Sequence, residues 1–578
     1  MANTGRTGDA PRRAEPAGGR FRLLDADKLR GGYYTPEVLA DWLCAWAIRA
    51  PNERVLEPSC GDGAILAAAA RRLAALGARN ESGEQLQGVE IVPAQAALAR
   101  ERLARAGRLQ GRIYEGDFFA WWAQTQAEGL TVDVVVGNPP FIRYQSFPEP
   151  GRGLAMAAMA ELGLKPNRMV NIWVPFVAAC VGRLAPGGRL AMVLPAELLQ
   201  VGYAAQLRAF LADRFLRMDL VACTELFFEN VQQEVVLLLA DGKTASPAQE
   251  CQVRMHEAAT VAGLVRQTPD ALMVGQAPKR VRHDSEKWLK YFLDDDQMSL
   301  MRALREAEIV APLSAHASVD VGVVTGLNAF FVLDEEQVRK HDLSAWTTPV
   351  VSRASQLQGM VFTPQDWQGL SARTGQRVHL LHVPPDAPIP PGSGLEAYLR
   401  EGERAGIHRG HKCSIRKPWH AVPYVWAPNA FLFRQIYAFP LAVLNEAGAA
   451  VTDTLHRLRA VSAPARVLVP NLYTYLTAAS AEIEGRSYGG GVLELGPTEA
   501  ERLLAPARLQ AAMAPEDMDA WIRQGRLADV LAENSRLVLR DGLGLAEDEC
   551  RMLRGIWERM RDRRMVRRKR RRSSLHAL

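Results

Sequence analysis

The chain has 578 residues, of which 48% are hydrophobic and 23% are charged, and its formal net charge is +6. This composition is typical of a soluble globular protein, and the length predicts two or three domains. No apolar run approaches the ~18 residues that span a membrane, no export leader is evident, and the seven scattered cysteines lack metal-binding spacing. We therefore expect a cytoplasmic protein without a membrane span or a metal site.

Residues 1–20 are rich in Gly, Pro, Ala and Arg, a composition typical of disordered segments. From residue 21 to residue 245, apolar strand-like runs alternate with helical stretches, which predicts a doubly wound sheet of the α/β class. Ligands of such sheets bind beyond the carboxyl ends of the strands. The predicted helices are Pro36–Ala50, Ala64–Leu76, Pro93–Ala106, Ile172–Leu184 and Glu197–Leu211.

The first strand-like run ends in a glycine loop. It reads Val55-Leu56-Glu57-Pro58-Ser59-Cys60-Gly61-Asp62-Gly63 and leads into an alanine-rich helix. Glycine lets the backbone approach a ligand closely at a strand-to-helix turn. The loop is not G-x-G-x-x-G and no phosphate-binding lysine follows it, which disfavours dinucleotides and nucleoside triphosphates as ligands.

Two further strand-like runs lead to acidic residues. The run Leu86–Glu90 ends in Glu90, and an acid in that place suits hydrogen bonding to ribose hydroxyls. The run that begins at Arg112 is followed by Asp117 and then by Phe118. Because the ends of parallel strands share one edge of a sheet, these acids can converge on a single cleft.

The fourth run, Val132–Gly137, stops in the loop Asn138-Pro139-Pro140-Phe141. Proline restricts the loop backbone, so its geometry is largely preset. An amide side chain, a carbonyl and an aromatic ring are what the methylation of a planar amino group needs. Asn138 Oδ1 and the Pro139 carbonyl could accept its two N–H bonds, and Phe141 could stack on its ring, a contact worth roughly 1–3 kcal/mol.

The segment Arg143–Arg168 interrupts the strand–helix pattern directly after this loop. It is rich in Gly, Met and Pro, which predicts an irregular, mobile loop over the pocket. A strand at Gly188–Pro195, a hairpin around Leu226–Val231 and a strand at Glu234–Ala240 are predicted to complete the sheet.

The order of these motifs resembles that of the gamma-class (TaqI-like) adenine-N6 DNA methyltransferases of restriction–modification systems. Gly32-Tyr33-Tyr34-Thr35-Pro36 is similar to the N-terminal motif of that family, and Glu57–Gly63 is similar to its cofactor loop. Asn138–Phe141 is similar to its catalytic loop, with Phe141 where many members carry Tyr. The resemblance covers most of the chain. It implies a class I S-adenosylmethionine-dependent methyltransferase sheet, followed by a C-terminal mixed α+β target-recognition domain.

The resemblance also implies a role for each motif residue. The methionine end of S-adenosylmethionine would be held by Thr35 and Glu57, beside the loop residues Ser59, Gly61 and Gly63. The ribose would be bound by Glu90 and the adenine amino group by Asp117, with Phe118 packed on the adenine. The catalytic loop would be Asn138, Pro139, Pro140 and Phe141, and Phe227 or Phe228 would contact the far side of the target base.

Beyond residue 245 the strand–helix alternation fades. The methyltransferase domain is predicted to span residues 21–245, the target-recognition region residues 246–555 and a basic tail residues 556–578. Three segments, 321–331, 413–419 and 484–493, resemble target-recognition segments of the same family.

Glycine turns beside basic and aromatic residues suit loops that approach phosphates and base edges. Arg416, Lys417 and Arg486 are therefore the candidates for DNA contact, and the alternative for each is a structural role in a turn or core. The tail holds nine Lys or Arg residues and one Asp between residues 561 and 572. It predicts either a phosphate-binding element or a solvated, disordered end.

The predicted activity is methyl transfer from S-adenosylmethionine to N6 of adenine in a specific duplex DNA sequence, after the base has left the helix. The alternatives are cytosine-N4 methylation, methylation of RNA or of protein glutamine, and a DNA-binding module that has lost catalysis. The expected partners are duplex DNA and a separate restriction endonuclease. A fused nuclease is disfavoured because about 20 residues precede the first motif, and a monomer is expected.

Overall fold

The computed structural model describes residues 35–79, 84–107, 109–168, 170–223, 234–245, 251–274, 276–279, 286–488 and 491–575, with the backbone alone at residues 488 and 566–575. These residues form two compact units. The first unit holds the described residues up to Val193 together with Leu239–Ala245. The second unit holds those between Leu194 and Leu238 and those beyond Ser246.

An eight-stranded sheet has the strand order β3-β2-β1-β4-β5-β7-β6-β8. Strands β1 to β5 are parallel to one another, so their carboxyl ends lie at one edge. From β1 the chain adds β2 and β3 on one side of the sheet, and β4 and β5 lie on the other side. The boundary between β1 and β4 is therefore a topological switch point, beside which α/β sheets form a ligand crevice. The strands are β1 Val55–Glu57, β2 Leu86–Glu90, β3 Arg112–Glu115, β4 Val132–Gly137, β5 Leu184–Pro195, β6 Phe215–Cys223, β7 Val235–Lys243 and β8 Gln252–Ala258.

The helices of the first unit follow local sequence signals. Alanine is the strongest helix former, and Ala67–Ala70 form a fully buried run in the second of these helices. The third begins with Pro93 in its first turn, where proline's missing N–H costs nothing. The helices are α1 Glu37–Ala47, α2 Ala64–Ala75, α3 Pro93–Ala106, α4 Phe118–Ala127, α5 Gly151–Glu161 and α6 Trp173–Arg183.

Two sequence-based expectations about secondary structure were wrong. The segment Arg143–Arg168, predicted to be irregular, contains the helix α5. Its alanine and methionine residues are good helix formers, and the segment packs inward through Phe147, which is buried against Phe119. The predicted single helix Glu197–Leu211 is interrupted at Gly202, a residue that costs a helix interior about 1 kcal/mol.

The second unit carries four further small sheets. Their orders are β10-β19-β15-β17-β13, β11-β14-β12-β18, β16-β21-β20 and β22-β9. The strands are β9 Val310–Pro312, β10 Ala317–Val321, β11 Val332–Leu333, β12 Thr347–Val351, β13 Val361–Phe362, β14 His379–Leu381, β15 Ala430–Phe433, β16 Gln435–Ile436, β17 Ala442–Asn445, β18 Ala450–Val451, β19 Leu455–Ala460, β20 Arg486–Tyr488, β21 Val492–Glu494 and β22 Leu504–Pro506.

Helices surround these sheets, as expected for a mixed α+β region. They are α7 Glu197–Gln200, α8 Ala205–Ala212, α9 Val261–Val265, α10 Pro269–Met273, α11 Asp295–Glu306, α12 Asn328–Phe331, α13 Glu335–Lys340, α14 Pro364–Ser371, α15 Gly394–Arg404, α16 His411–Ser414, α17 Ala465–Asn471, α18 Tyr475–Glu484, α19 Pro497–Glu501, α20 Pro515–Arg523, α21 Leu527–Ser535 and α22 Glu547–Leu575, with a π-helical turn at Arg536–Gly542.

The core of the second unit is built from several clusters of apolar side chains. One groups Phe330, Phe331 and Tyr398, and another groups Phe362 and Phe431. In the part of the chain that the structure describes, none of the helices is both long and apolar enough for a membrane span.

Candidate active site

The candidate residues that follow or end strands β1 to β4 lie at the carboxyl edge of the sheet. Glu57 is the last residue of β1 and Glu90 is the last residue of β2. Asp117 caps the helix that follows β3, and Asn138 directly follows β4. The parallel strands therefore bring these four residues and Thr35, which contacts Asn138, to one edge of the first unit; we call these five residues the strand-end site.

Glu57 is a buried acid beside the start of α2. Its residue is 3% exposed, and Oε2 has no hydrogen-bond partner among the described residues. Burial raises the pKa of this carboxyl well above its ordinary value, against the opposing effect of a backbone hydrogen bond from Leu66 in the first turn of α2. A buried carboxyl with an oxygen to spare is suited to receive a cationic or N–H-bearing ligand.

Glu90 holds the glycine loop in place. Its Oε2 accepts a hydrogen bond from the Gly61 backbone N–H at 2.8 Å, and its Oε1 accepts one from the Val92 N–H at the same distance. Each carboxylate oxygen can accept more than one hydrogen bond. The carboxylate can therefore bind a diol while it keeps the loop closed against β2.

Asp117 is the N-cap of α4. Its Oδ1 accepts hydrogen bonds from the backbone N–H groups of Phe119 and Ala120, at 2.9 and 3.0 Å. This arrangement satisfies two N–H groups that a helix start otherwise leaves unpaired. The predicted contact of Asp117 with an adenine amino group stays a prediction.

Phe118 belongs to the core of the first unit. It is 3% exposed, and its ring is stacked on that of Phe176 with centroids 4.7 Å apart. It also lies 5.9 Å from the ring of Trp121. These aromatic contacts favour a packing role, so the predicted contact with the cofactor adenine finds no support in the geometry.

The loop Asn138–Phe141 is bound to both upstream motifs. Asn138 Nδ2 donates a hydrogen bond to Thr35 Oγ1 at 3.3 Å. Ser59 Oγ donates to the Asn138 backbone carbonyl at 3.2 Å, so this predicted cofactor residue joins the glycine loop to the catalytic loop. The bond to Thr35 orients the Asn138 side-chain amide, and the bond from Ser59 holds the loop backbone. Phe141 is half-buried, Pro139 is buried and Pro140 is half-buried.

Two glycines allow close packing around these loops. A Cβ at Gly137 would come within 2.9 Å of Pro58 Cδ, closer than side chains normally approach. Gly63 has φ +83°, a left-handed conformation that glycine adopts readily, and a Cβ there would lie 2.8 Å from Ala99 Cα. Larger residues at either position would displace the loops.

Two residues near the site escaped the sequence reasoning. Ile91 directly follows Glu90 and is 52% exposed, which leaves an apolar side chain at the end of β2. Gly151 starts α5 beside Asp117, and a Cβ there would lie 2.5 Å from Asp117 Oδ2. Ile91 could have been found from its position after the acid. Gly151 could not, because the helix that places it was predicted to be a loop.

Of the proposed DNA contacts, two side chains are engaged within the second unit. Arg416 donates to the backbone carbonyls of Thr325 and Val324, at 2.8 and 2.7 Å. Arg486 forms an ion pair with the buried Glu499 at 2.5 Å. Lys417 is exposed, without an ion pair to any described residue. The geometry thus favours Lys417 for DNA contact, and structural roles for the two arginines.

The predicted basic tail begins inside the helix α22. Arg564 is buried, pairs with Glu482 through two bonds of 2.8 and 2.5 Å, and donates to the Gly491 carbonyl at 2.7 Å. Arg563 lies over the ring of Phe292 at 3.7 Å. At least part of the charge run is therefore structural. Phe227 and Phe228, Tyr33 and Tyr34, and the glycines at 489 and 490 lie outside the described residues.

Two family models match most of the chain between them. One, described as "N-6 DNA Methylase", matches residues 24–272. The other, described as "Type II methyltransferase M.Eco57I, C-terminal domain", matches residues 285–539.

Curated relatives carry related names. The type II methyltransferase M.AccI of Acinetobacter calcoaceticus is 20% identical over 383 residues, which cover 64% of this chain and 67% of the relative. The type II methyltransferase M.PaeR7I of Pseudomonas aeruginosa is 26% identical over 346 residues, which cover 54% of this chain and 57% of the relative. The chain thus spans about three fifths of the length of these relatives.

A similar fold occurs in the type IIL restriction–modification enzyme MmeI, whose structure was solved in complex with DNA. The TM-score is 0.51 at 11% identity, and the match covers 94% of this chain and 75% of that chain. At this identity the likeness concerns the fold alone. Together with the strand order and the two family models, it confirms the predicted methyltransferase fold and family resemblance. Residues 24–272 thus belong to the N-6 DNA methylase family, and residues 285–539 match the C-terminal domain of a type II restriction–modification methyltransferase.

Proposed function

We propose that this chain transfers a methyl group from S-adenosylmethionine to N6 of an adenine in a specific duplex DNA sequence, after that base has been swung out of the helix. The observation that carries the proposal is the joining of Asn138 to Thr35 and Ser59 beside the switch point of a parallel sheet. These bonds link the catalytic loop to the glycine loop and to Thr35.

The residues present fit S-adenosylmethionine. Glu57 offers a buried carboxylate oxygen for the ammonium group of the methionine moiety, and Glu90 offers carboxylate oxygens for the ribose diol. The exposed side chain of Ile91 supplies an apolar surface for a flat ring. When bound, S-adenosylmethionine supplies an electrophilic methyl group on a sulfonium.

The catalytic loop prepares the amino group for attack. The lone pair of an exocyclic amine is delocalised into its ring, so the amine is a weak nucleophile until acceptors bind its hydrogens. With Nδ2 bonded to Thr35, the amide presents Oδ1 as the atom suited to accept one N–H, and the Pro139 carbonyl accepts the other. Phe141 stacks on the base, and positioning of the two reactants supplies much of the rate.

No covalent intermediate with the protein is required. The one thiol in the glycine loop, Cys60, is buried, and burial raises its pKa so that it stays protonated at neutral pH. The surplus proton of the methylated amine passes to water, because a methylated aminopurine cation is strongly acidic.

The test is methyl transfer from labelled S-adenosylmethionine to unmethylated duplex DNA, followed by nucleoside analysis of the product. Label in N6-methyladenine supports the proposal. Label in N4-methylcytosine would keep the loop chemistry and change the base. Absence of label from DNA, with S-adenosylmethionine still bound in calorimetry, would contradict DNA as the substrate and favour RNA or protein glutamine.

A further inference from the structure

Four residues of the second unit form a surface that none of the motifs includes. Tyr424 and Trp426 lie in the loop between Trp419 and β15, and Arg457 and Arg459 lie on β19. We call these four residues the aromatic–arginine surface.

Tyr424 is held in an unusual conformation. Its φ is 57°, in the left-handed region that few residues other than glycine adopt, and its side chain is 83% exposed. Arg457 Nη1 donates a hydrogen bond of 2.7 Å to the Tyr424 carbonyl, which fixes this turn. Packing in the core cannot be the reason for this strained backbone, because the Tyr424 ring is exposed to solvent. Backbone strain of this kind is concentrated at functional sites.

The two arginines share one aromatic support. The guanidinium carbons of Arg457 and Arg459 lie 4.6 and 4.5 Å from the ring centre of Trp426. They point to the same side of β19, because side chains alternate along a strand and both guanidinium groups lie over Trp426. Arg457 is buried at 9% exposure, whereas Arg459 is exposed. Neither arginine forms an ion pair with an acid among the described residues, although Asp320 lies opposite Arg457 on β10.

Exposed basic residues elsewhere in the second unit also suit an anionic partner. The loop that follows β10 is tied to the segment 412–417 by Arg416, which donates to the Val324 and Thr325 carbonyls. That segment presents the exposed Lys412 and Lys417, and neither pairs with a described acid. The exposed Arg459 over the Trp426 ring, the exposed Tyr424 ring and these lysines match the chemistry of a nucleic acid, which offers phosphates and stacking faces.

We propose that the aromatic–arginine surface contacts duplex DNA, with Arg459 bound to a backbone phosphate and the ring of Tyr424 in contact with a base or sugar. This inference rests on the proposed function and deepens it, because it names the residues of the second unit that hold the substrate. Arg457 and Trp426 hold those two side chains in place.

The first test compares Arg459→Gln with Arg373→Gln. Arg373 is an exposed arginine of the turn after α14 that also lacks an ion pair with a described acid. Affinity for a short fluorescent duplex of random sequence is measured against salt concentration. A phosphate contact predicts that Arg459→Gln lowers the salt slope by about 1 and that Arg373→Gln leaves it unchanged. Equal slopes for the two variants would overturn the role of Arg459.

The second test compares Tyr424→Ala with Tyr424→Phe. We expect Tyr424→Ala to raise the KM for genomic DNA about tenfold, as loss of one stacking contact does, without changing kcat or the affinity for S-adenosylmethionine. The Phe variant keeps the ring and should stay within about twofold of the unmodified protein. An unchanged KM in the Ala variant would overturn the role of Tyr424.

These results separate this inference from the proposed function. Duplex binding that depends on Arg459, in a protein that transfers no methyl group to DNA, would support the surface and contradict the activity. Normal DNA methylation by both Tyr424→Ala and Arg459→Gln would support the activity and contradict the surface. The unfolding midpoint of each variant shows that it is folded.

Discussion

The strand-end site of the first unit and the basic residues of the second unit differ in how their side chains are used. At the strand-end site, Glu57 and Glu90 are buried at the ends of their strands, and half-buried Asn138 directly follows β4. Hydrogen bonds link the loops that follow these strands. In the second unit, Arg416 and Arg486 resemble DNA contacts in sequence, yet they are consumed by a carbonyl pair and a buried acid. Position at a strand end therefore indicates where a side chain lies, whereas a positive charge does not by itself indicate what it binds.

Removing the amide of the catalytic loop is the strongest test of this contrast. Asn138→Ala should lower kcat about 10³-fold, because one preorganised polar partner of the reacting amine is lost, while S-adenosylmethionine still binds. Radiolabel transfer and calorimetry measure the two quantities. Asn52→Ala, the same change at an exposed turn before β1, is the control. Near-normal turnover in Asn138→Ala would refute the mechanism.

The buried end of the charge run should matter for stability. Arg564→Ala leaves the carboxylate of Glu482 buried without its partner, which should cost about 3–5 kcal/mol in the free energy of unfolding of the second unit. The control is Arg551→Ala on the same helix, an exposed pair with Asp548 whose loss should cost under about 1 kcal/mol. Equal denaturation midpoints for the two variants would show that the buried pair is not structural.

Substitution of Glu57 should change cofactor affinity and protein stability in opposite directions. Its folded pKa is raised by burial, so the folded state holds its proton more tightly, and the carboxyl destabilises the ligand-free protein increasingly as pH rises above its unfolded pKa. Glu57→Gln should therefore raise the melting temperature at neutral pH by a few degrees and weaken S-adenosylmethionine binding about tenfold or more.

The same group predicts a pH dependence of cofactor affinity. The ammonium of the ligand needs the ionised carboxyl, so the affinity should fall as pH is lowered through the raised pKa of Glu57, and Glu57→Gln should lack this dependence. Calorimetric titrations across mildly acidic to neutral pH measure it, with the exposed Glu101→Gln as control. A flat profile in the unmodified protein would contradict a role for Glu57 in ammonium binding.

The smallest expected effects distinguish two neighbouring cations. Arg416→Gln removes two hydrogen bonds to carbonyls and should lower the free energy of unfolding by about 1–2 kcal/mol. Lys417→Gln removes the same charge without a described partner and should stay within about 0.5 kcal/mol. We expect only Lys417→Gln to lower the salt slope of DNA binding. The opposite pattern would restore Arg416 as the DNA contact.

The strands, helices and motif order of the first unit could be predicted from the sequence because the signals that determine them are local. Strand ends, glycine turns and an alanine-rich helix determine β1, α2 and the order of the motifs. The sheet then brings the motifs together because its parallel strands end at the same edge. The resemblance predicts that Phe118 packs on the cofactor adenine, whereas in the fold Phe118 packs on Phe176, a residue distant in the sequence. Burial by a remote partner leaves no local trace in sequence.

The second unit was harder for the same reason. The role of Arg486 depends on its ion pair with Glu499, and the role of Arg564 depends on its ion pair with Glu482. These contacts join separate elements, so sequence periodicity does not predict them. Tyr424 escaped notice because its information lies in a backbone angle and in a hydrogen bond from β19. The local sequence around Tyr424 gives no sign of a strained turn. The strain is visible only in the backbone conformation of the folded chain.

The contact between Gly137 and Pro58 has a consequence for how such proteins diversify. The two loops meet with no space for even one added carbon, although 79 residues separate the positions in the chain. Neither loop can be exchanged with a relative's alone unless its counterpart already matches. Chimeras that transplant the segment Glu57–Gly63 together with Gly137–Phe141 should keep their activity, whereas those that transplant one segment should lose it.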